Sequence, residues 1–122
     1  MTDPRILAID DSPAVCRSLR LTLRGLGEVE SVSSTEADAV QAAYSTCLEG
    51  IRSITAAPPT VVVLDGLEGY CSEVLVVAAD LGVPVVAYTS SPEVFRGLAL
   101  PVVVKPDTGG LLRAVRALLE VS

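Results

Sequence analysis

The stretch Val61-Val62-Val63-Leu64-Asp65-Gly66 decides how this chain folds. Four apolar residues in a row, three of them β-branched, suit a short strand buried on both faces, as in the middle of a parallel sheet. The run ends on a carboxylate and a glycine, so polar chemistry begins where the strand stops. Three further runs share this build: Ile6-Leu7-Ala8-Ile9 before Asp10-Asp11, Val83-Pro84-Val85-Val86-Ala87-Tyr88 before Thr89-Ser90-Ser91, and Val102-Val103-Val104 before Lys105-Pro106. A weaker fifth, Val29-Glu30-Ser31-Val32, alternates as an edge strand does.

Helical patterns fill the intervals. From Pro13 to about Gly25, Val15, Leu19, Leu23 and Leu26 repeat at helical spacing, with Arg17, Arg20 and Arg24 on the other side and Asp11 or Ser12 as the cap. A second helix is expected from about Ser34, with Thr35 and Asp38 in capping-box spacing and Ala37, Val40, Tyr44, Leu48 and Ile51 turned inward, until Pro58-Pro59 stops it. A third covers about Tyr70 to Leu81 and a stub about Pro92 to Leu98. A last runs from about Thr108 to Glu120 with Leu111, Leu112, Val115 and Leu118 buried. One strand to one helix, five times over, predicts an α/β fold: a flavodoxin-like (βα)5 doubly wound parallel sheet with right-handed crossovers and strand order 2-1-3-4-5.

The composition agrees. At 122 residues the chain is one domain, expected to span residues 1–122 with no output domain, and half its residues are hydrophobic. Its 15 Asp plus Glu against 9 Lys plus Arg give a net charge of −6, and the absence of a basic run argues against direct nucleic-acid binding. No apolar stretch approaches a signal peptide or a membrane span, which predicts a cytoplasmic protein with no membrane insertion. Cys16, Cys47 and Cys71 are odd in number, far apart and unaccompanied by any histidine, so they read as reduced core or helix-face residues. Without histidine, Ser-His-Asp and Cys-His catalysis are ruled out.

In a doubly wound sheet, ligands sit beyond the carboxyl ends of the strands. That edge gathers Asp10, Asp11, Asp65, Thr89, Ser90, Ser91 and Lys105. Three carboxylates within a few Å need counter-charge, which a hard divalent cation such as Mg2+ and the lone lysine would supply. A carboxylate nucleophile, a metal, an ammonium and a hydroxyl together make a phosphoryl-transfer constellation. Each residue also has a plainer reading: Asp10 and Asp11 as helix caps, Asp65 as a turn residue before Gly66, Thr89 as a cap for the stub, and Lys105 as a solvated lysine.

Along essentially its whole length the chain resembles the receiver domain of two-component response regulators. The resemblance is carried by Ile9-Asp10-Asp11-Ser12, Val63-Leu64-Asp65-Gly66, Val86-Ala87-Tyr88-Thr89-Ser90 and Val103-Val104-Lys105-Pro106. It implies that Asp65 accepts a phosphoryl group from a histidine kinase or phosphotransfer protein. It further implies that Asp11 binds Mg2+ directly and Asp10 mainly through water, with the Leu67 carbonyl completing the metal site. Lys105 would hold the phosphoryl oxygens, Thr89, flanked by Ser90, would shift to bond them, and Pro106 would follow a cis peptide. On this reading the chain is no enzyme beyond its own phosphorylation and dephosphorylation, and it signals by binding an unknown downstream protein.

Three departures bear on this. The loop Gly66-Leu67-Glu68-Gly69-Tyr70 is short and lacks a hydrophobic-Pro pair, which would displace the metal-binding carbonyl. Only sixteen positions carry the chain from Thr89 to Lys105, so the fourth helix is a stub. Val102 stands where the family has an aromatic that swings with the Thr hydroxyl, and Tyr88 reads as core. In compensation, the second helix is long, with Tyr44, Cys47 and Ile51 as core or a partner surface. Leu67 and Ser91 offer little to position an attacking water, so slow self-dephosphorylation is expected. The alternative is a degenerate receiver that binds partners without phosphorylation. An independent phosphatase has only Glu68 as a candidate general acid.

Overall fold

The computed structural model describes residues 3–121. Five strands, β1 (Arg5–Ile9), β2 (Glu28–Val32), β3 (Val61–Leu64), β4 (Val85–Thr89) and β5 (Val102–Val104), form one parallel sheet in the order β2-β1-β3-β4-β5. Helices α1 (Pro13–Leu23), α2 (Ala39–Ala56), α3 (Cys71–Asp80) and α4 (Thr108–Val121) cover its two faces, with 3-10 turns at Leu67–Gly69 and Pro92–Phe95. This is the flavodoxin-like order expected from the alternation of runs.

Side chains alternate across a strand, so each strand feeds two cores. Leu7, Ile9, Val62 and Leu64 pack under α2 and α3, while Ile6, Ala8, Val61 and Val63 pack under α1 and α4 with Leu19, Leu23, Leu111 and Val115. Register then sets the functional edge. Ile9 pairs with Leu64 and Leu64 with Ala87, so the residues that follow, Asp10 and Asp65, emerge side by side. Thr89 pairs with Val104, which brings Lys105 to the same edge.

Several boundaries differ from the sequence reading. Helix α2 starts at Ala39, because Asp38 itself is the cap and its carboxylate accepts the Gln41 N–H at 2.9 Å. Its phase is also rotated: Ala42, Ala43, Thr46, Cys47, Gly50 and Ile54 are buried, whereas Val40, Tyr44 and Leu48 are exposed. The small residues win because α2 lies close on β1, where a Cβ at Gly50 would come within 2.8 Å of Ile9 Cδ1. The stub at 92–98 is a 3-10 turn of four residues with Phe95 buried beneath it. Strand β4 begins at Val85, and in the edge strand β5 only Val103 is buried, so Val102-Val103-Val104 is not a run buried on both faces. The three cysteines are free thiols, all buried. None of the described helices is long and apolar enough to cross a membrane.

Candidate functional site

Each polar side chain at the carboxyl edge is held by its own strand end. The β1 strand hands Asp10 into the turn that starts α1. One Asp10 oxygen, Oδ1, accepts the Ser12 N–H at 3.0 Å, and Ser12 Oγ caps α1 by accepting the Val15 N–H at 3.3 Å. Ser12, not Asp10 or Asp11, is therefore the helix cap, which leaves Asp11 available to the cleft. Asp65 is fixed at the end of β3 by its backbone N–H to Ile9 O at 2.9 Å, and its Oδ2 accepts the Leu67 N–H at 3.0 Å. Lys105 reaches across from β5. Its Nζ donates to Asp10 Oδ2 at 2.7 Å and to Asp65 Oδ1 at 3.0 Å.

The three carboxylates are not equivalent. Asp10's side chain is only 3% exposed, while Asp65's is 16% exposed and Asp11 is part-exposed beside it, so an incoming group can reach Asp65 and Asp11 but not Asp10. Burial first, and then the Asp65 charge, hold the Asp10 carboxyl above its ordinary range despite Lys105 and the Ser12 N–H. Asp11 is raised by the same two causes in the same order. Burial works against the Lys105 ammonium, yet the hydrogen bond and charge of Asp10, followed by those of Asp65, outweigh it and raise its pKa. The lysine is thus a fixed cation between two acids, with its Nζ 5.8 Å from the Tyr88 ring centroid. Tyr88 is buried in the α1/α4 core.

Oxygens of Asp10, Asp11 and Asp65 all lie within 4.8 Å of one another. Ligands of an octahedral Mg2+ stand about 3 Å apart when adjacent and about 4.2 Å apart when opposite, so these three donors are close enough to converge on one ion. Three carboxylates against one ammonium leave a double negative charge when all are ionised, which a divalent cation matches. The donor set, all oxygen, fits a hard ion of that kind.

Thr89 is buried at the end of β4, and its Oγ1 accepts the Ser91 N–H at 2.9 Å, which leaves the hydroxyl proton free to be donated elsewhere. Gly66 lies beside it, where a Cβ would make only ordinary contact with Thr89 Oγ1 at 3.6 Å. Ser90 is exposed on the rim, and the Lys105–Pro106 peptide bond is cis. The loop after Asp65 is unusual: Leu67 (φ 50°) and Glu68 (φ 53°) are both left-handed, followed by Gly69 at φ 94°. Left-handed backbone in non-glycine residues costs of order 1–3 kcal/mol each. Offsetting this, Leu67 sinks its side chain into the core at 1% exposure. The Leu67 carbonyl accepts the Tyr70 N–H at 2.9 Å.

The Leu67 side chain is buried in the α2/α3 core, so Leu67 borders the cleft by its backbone. Glu68, Glu93 and Val94 line the cleft together with the expected residues. Glu93 and Val94 were missed because they belong to the turn that replaces the fourth helix. The signal was present in Ser91-Pro92-Glu93, where a proline three residues after the strand end starts a tight turn.

Fold and cleft together define an open α/β protein with an acidic, lysine-bridged site at the switch point of its sheet. No protein-family model matches the chain, and no curated protein matches it by sequence. Solved structures do match. The beryllofluoride-activated receiver domain of DrrB superposes with a TM-score of 0.64 at 22% identity, covering 98% of this chain and 99% of that one. HP1043, an orphan response regulator of H. pylori, gives 0.72 at 14% identity over 98% and 99%. A response regulator receiver protein from Sinorhizobium medicae WSM419 gives 0.67 at 20% identity over 96% and 94%. The fold of this chain is that of the response-regulator receiver domain.

Proposed function

We propose that the chain is a cytoplasmic phosphoacceptor receiver of a two-component phosphorelay, taking a phosphoryl group onto Asp65 from the phosphohistidine of a histidine kinase or phosphotransfer protein. The observation that carries this reading is the Lys105 ammonium shared between buried Asp10 and reachable Asp65. Asp10, Asp11, Asp65 and the remaining lone pair of the Leu67 carbonyl would hold Mg2+. When bound, that ion offsets the charge on the phosphoryl oxygens.

The chain's own residues account for the remaining steps. Asp65 attacks phosphorus in line while the histidine nitrogen–phosphorus bond breaks; the imidazole keeps that electron pair and later takes a proton from solvent. Lys105 turns from the Asp65 oxygen to a phosphoryl oxygen, while its bond to Asp10 keeps it oriented. The Thr89 hydroxyl donates its free proton to another phosphoryl oxygen, which draws the 89–91 loop inward. Because Val102 stands at the edge of β5 with no aromatic to follow it, the response is confined to that loop and the turn at 92–95. A downstream protein reads the change, and no external substrate is turned over.

A second reading is favoured by the left-handed run at 67–69 and by the engaged Leu67 carbonyl: a receiver fold that binds its partner without phosphorylation. Amide NMR spectra with Mg2+ and beryllofluoride separate the two. Shifts at Asp65, Thr89 and Lys105 in the wild type, absent in Asp65→Asn, support phosphoacceptance; an unchanged wild-type spectrum supports the second reading.

A further inference from the structure

Helix α2 leaves an apolar row uncovered. Val40, Tyr44 and Leu48, spaced four residues apart, are 51%, 46% and 38% exposed. The row spans about 12 Å, two turns of helix. It continues onto the loop before α3, where the Tyr70 ring meets Tyr44 edge-on with centroids 5.4 Å apart. This surface lies outside the carboxylate cleft, whose lining includes none of the four residues.

The charge around it is one-sided. Between Arg24 and Arg96 the chain holds a single cation, Arg52, against six carboxylates from Glu36 to Asp80 besides Asp65, which belongs to the cleft and is paired with Lys105. Arg52 is itself taken up by Glu49 at 2.6 Å. Glu36 lies along the first turns of α2, accepting the Ser45 hydroxyl at 3.0 Å, and Asp38 caps the same end. On the α3 side, Glu68 precedes Tyr70 and the charge of Glu73 reaches Cys47, next to Leu48. An apolar row rimmed by unopposed carboxylates matches one kind of occupant: a helix with an apolar stripe and basic flanks. A second copy docking by the same face would set its own carboxylates against these, so isologous pairing is disfavoured.

We propose that the α2 face formed by Val40, Tyr44, Leu48 and Tyr70 docks a cationic amphipathic helix of a partner protein. The apolar row of that helix packs along the four-residue row of α2 and its lysines or arginines meet the Glu36–Asp38 end and the Glu68–Glu73 side.

The test is an amide NMR titration of the 15N-labelled chain, free of Mg2+ and phosphoryl mimic, with a synthetic Leu/Lys peptide of helical periodicity and with its Leu/Glu counterpart. The expected result is saturable shifts at Val40 to Leu48 and Tyr70 with the Leu/Lys peptide alone. Affinity should fall at least about tenfold in Tyr44→Ser/Leu48→Ser. Glu36→Gln/Glu73→Gln, which leaves the apolar row intact, should weaken binding and flatten its salt dependence. Shifts centred on Asp10, Asp11 and Asp65, equal binding of the two peptides, or unaltered binding by both variants would overturn the proposal. So would concentration-dependent dimerisation through the same residues without peptide.

Discussion

Lys105 Nζ stands 3.0 Å from Asp65 Oδ1, joining the residue after β5 to the residue after β3 across the intervening end of β4. The same ammonium holds Asp10 at 2.7 Å, so its loss leaves two carboxylates and nothing positive between them.

Replacing it with the apolar Lys105→Met is therefore expected to destabilise the metal-free protein by about 1–3 kcal/mol, the cost of leaving a buried polar group unpaired. Added Mg2+ should recover part of the loss, because the ion supplies charge at the same carboxylates. Urea unfolding with and without Mg2+ measures both; a variant as stable as wild type without the ion would refute the role given to Lys105.

Acid should weaken the site sooner than it weakens ordinary carboxylates. Asp10 and Asp11 have folded-state pKa values raised by burial and then by Asp65, so the folded protein takes up protons there more readily than the unfolded chain does. Their ionised forms oppose folding of the metal-free protein, and this penalty is relieved as pH falls through the raised values toward the unfolded ones. Mg2+ competes with those protons, so the rise in Tm on adding Mg2+ should shrink on acidification while pH is still above the usual carboxylate range. Lys105, also raised, contributes stability that is complete below its unfolded pKa and disappears only as pH climbs through its folded value. Thermal scans across pH with and without Mg2+ check the sign; a Mg2+ effect constant down to the ordinary carboxylate range would contradict it.

The close seat of α2 makes Gly50→Ala costly. Its new Cβ would stand 2.8 Å from Cδ1 and 3.2 Å from Cγ2 of fully buried Ile9, directly before Asp10, so that side chain must repack in a filled core or the helix must move. A loss of about 1–3 kcal/mol is expected from overpacking, outweighing the better helix propensity of alanine. Equal or higher stability in urea unfolding would show that α2 rides higher than described.

A phosphoryl group on Asp65 is expected to be long-lived. Leu67 turns its side chain into the core and Ser91 brings only a short hydroxyl to the cleft, so neither position supplies an amide or carboxylate side chain to orient water. Supplying an amide by Ser91→Asn should shorten the lifetime several-fold in a phosphate-release assay, and a wild-type lifetime as short as the variant's would count against this. Leu67→Asn is not a fair test, because it buries an amide in the α2/α3 core and unfolding would obscure the readout.

Much of this was legible in the primary structure because apolar runs that stop on Asp10, Asp65, Thr89 and Lys105 report both strands and what lies beyond them. Strand order followed from connection rules that leave few choices. The α2 phase was not legible: hydrophobicity favours Val40, Tyr44 and Leu48 inward, whereas the close approach to β1 at Gly50 turns the face carrying Ala43, Cys47, Gly50 and Ile54 to the core. Nor was the left-handed path of Leu67 and Glu68, since neither side chain favours it and tertiary burial of Leu67 imposes it. Capping was ambiguous at Ser12 because three candidate caps stand together in Asp10-Asp11-Ser12.

Incubating the chain with Mg2+ and the small phosphoryl donor phosphoramidate, then reading intact mass, tests the role of Asp65 most directly. One added phosphoryl group is expected on the wild type, lost on removal of Mg2+, absent in Asp65→Asn and released by hydroxylamine as an acyl phosphate would be. An unmodified wild type, or an Asp65→Asn variant that gains the same mass, would contradict phosphoacceptance at Asp65.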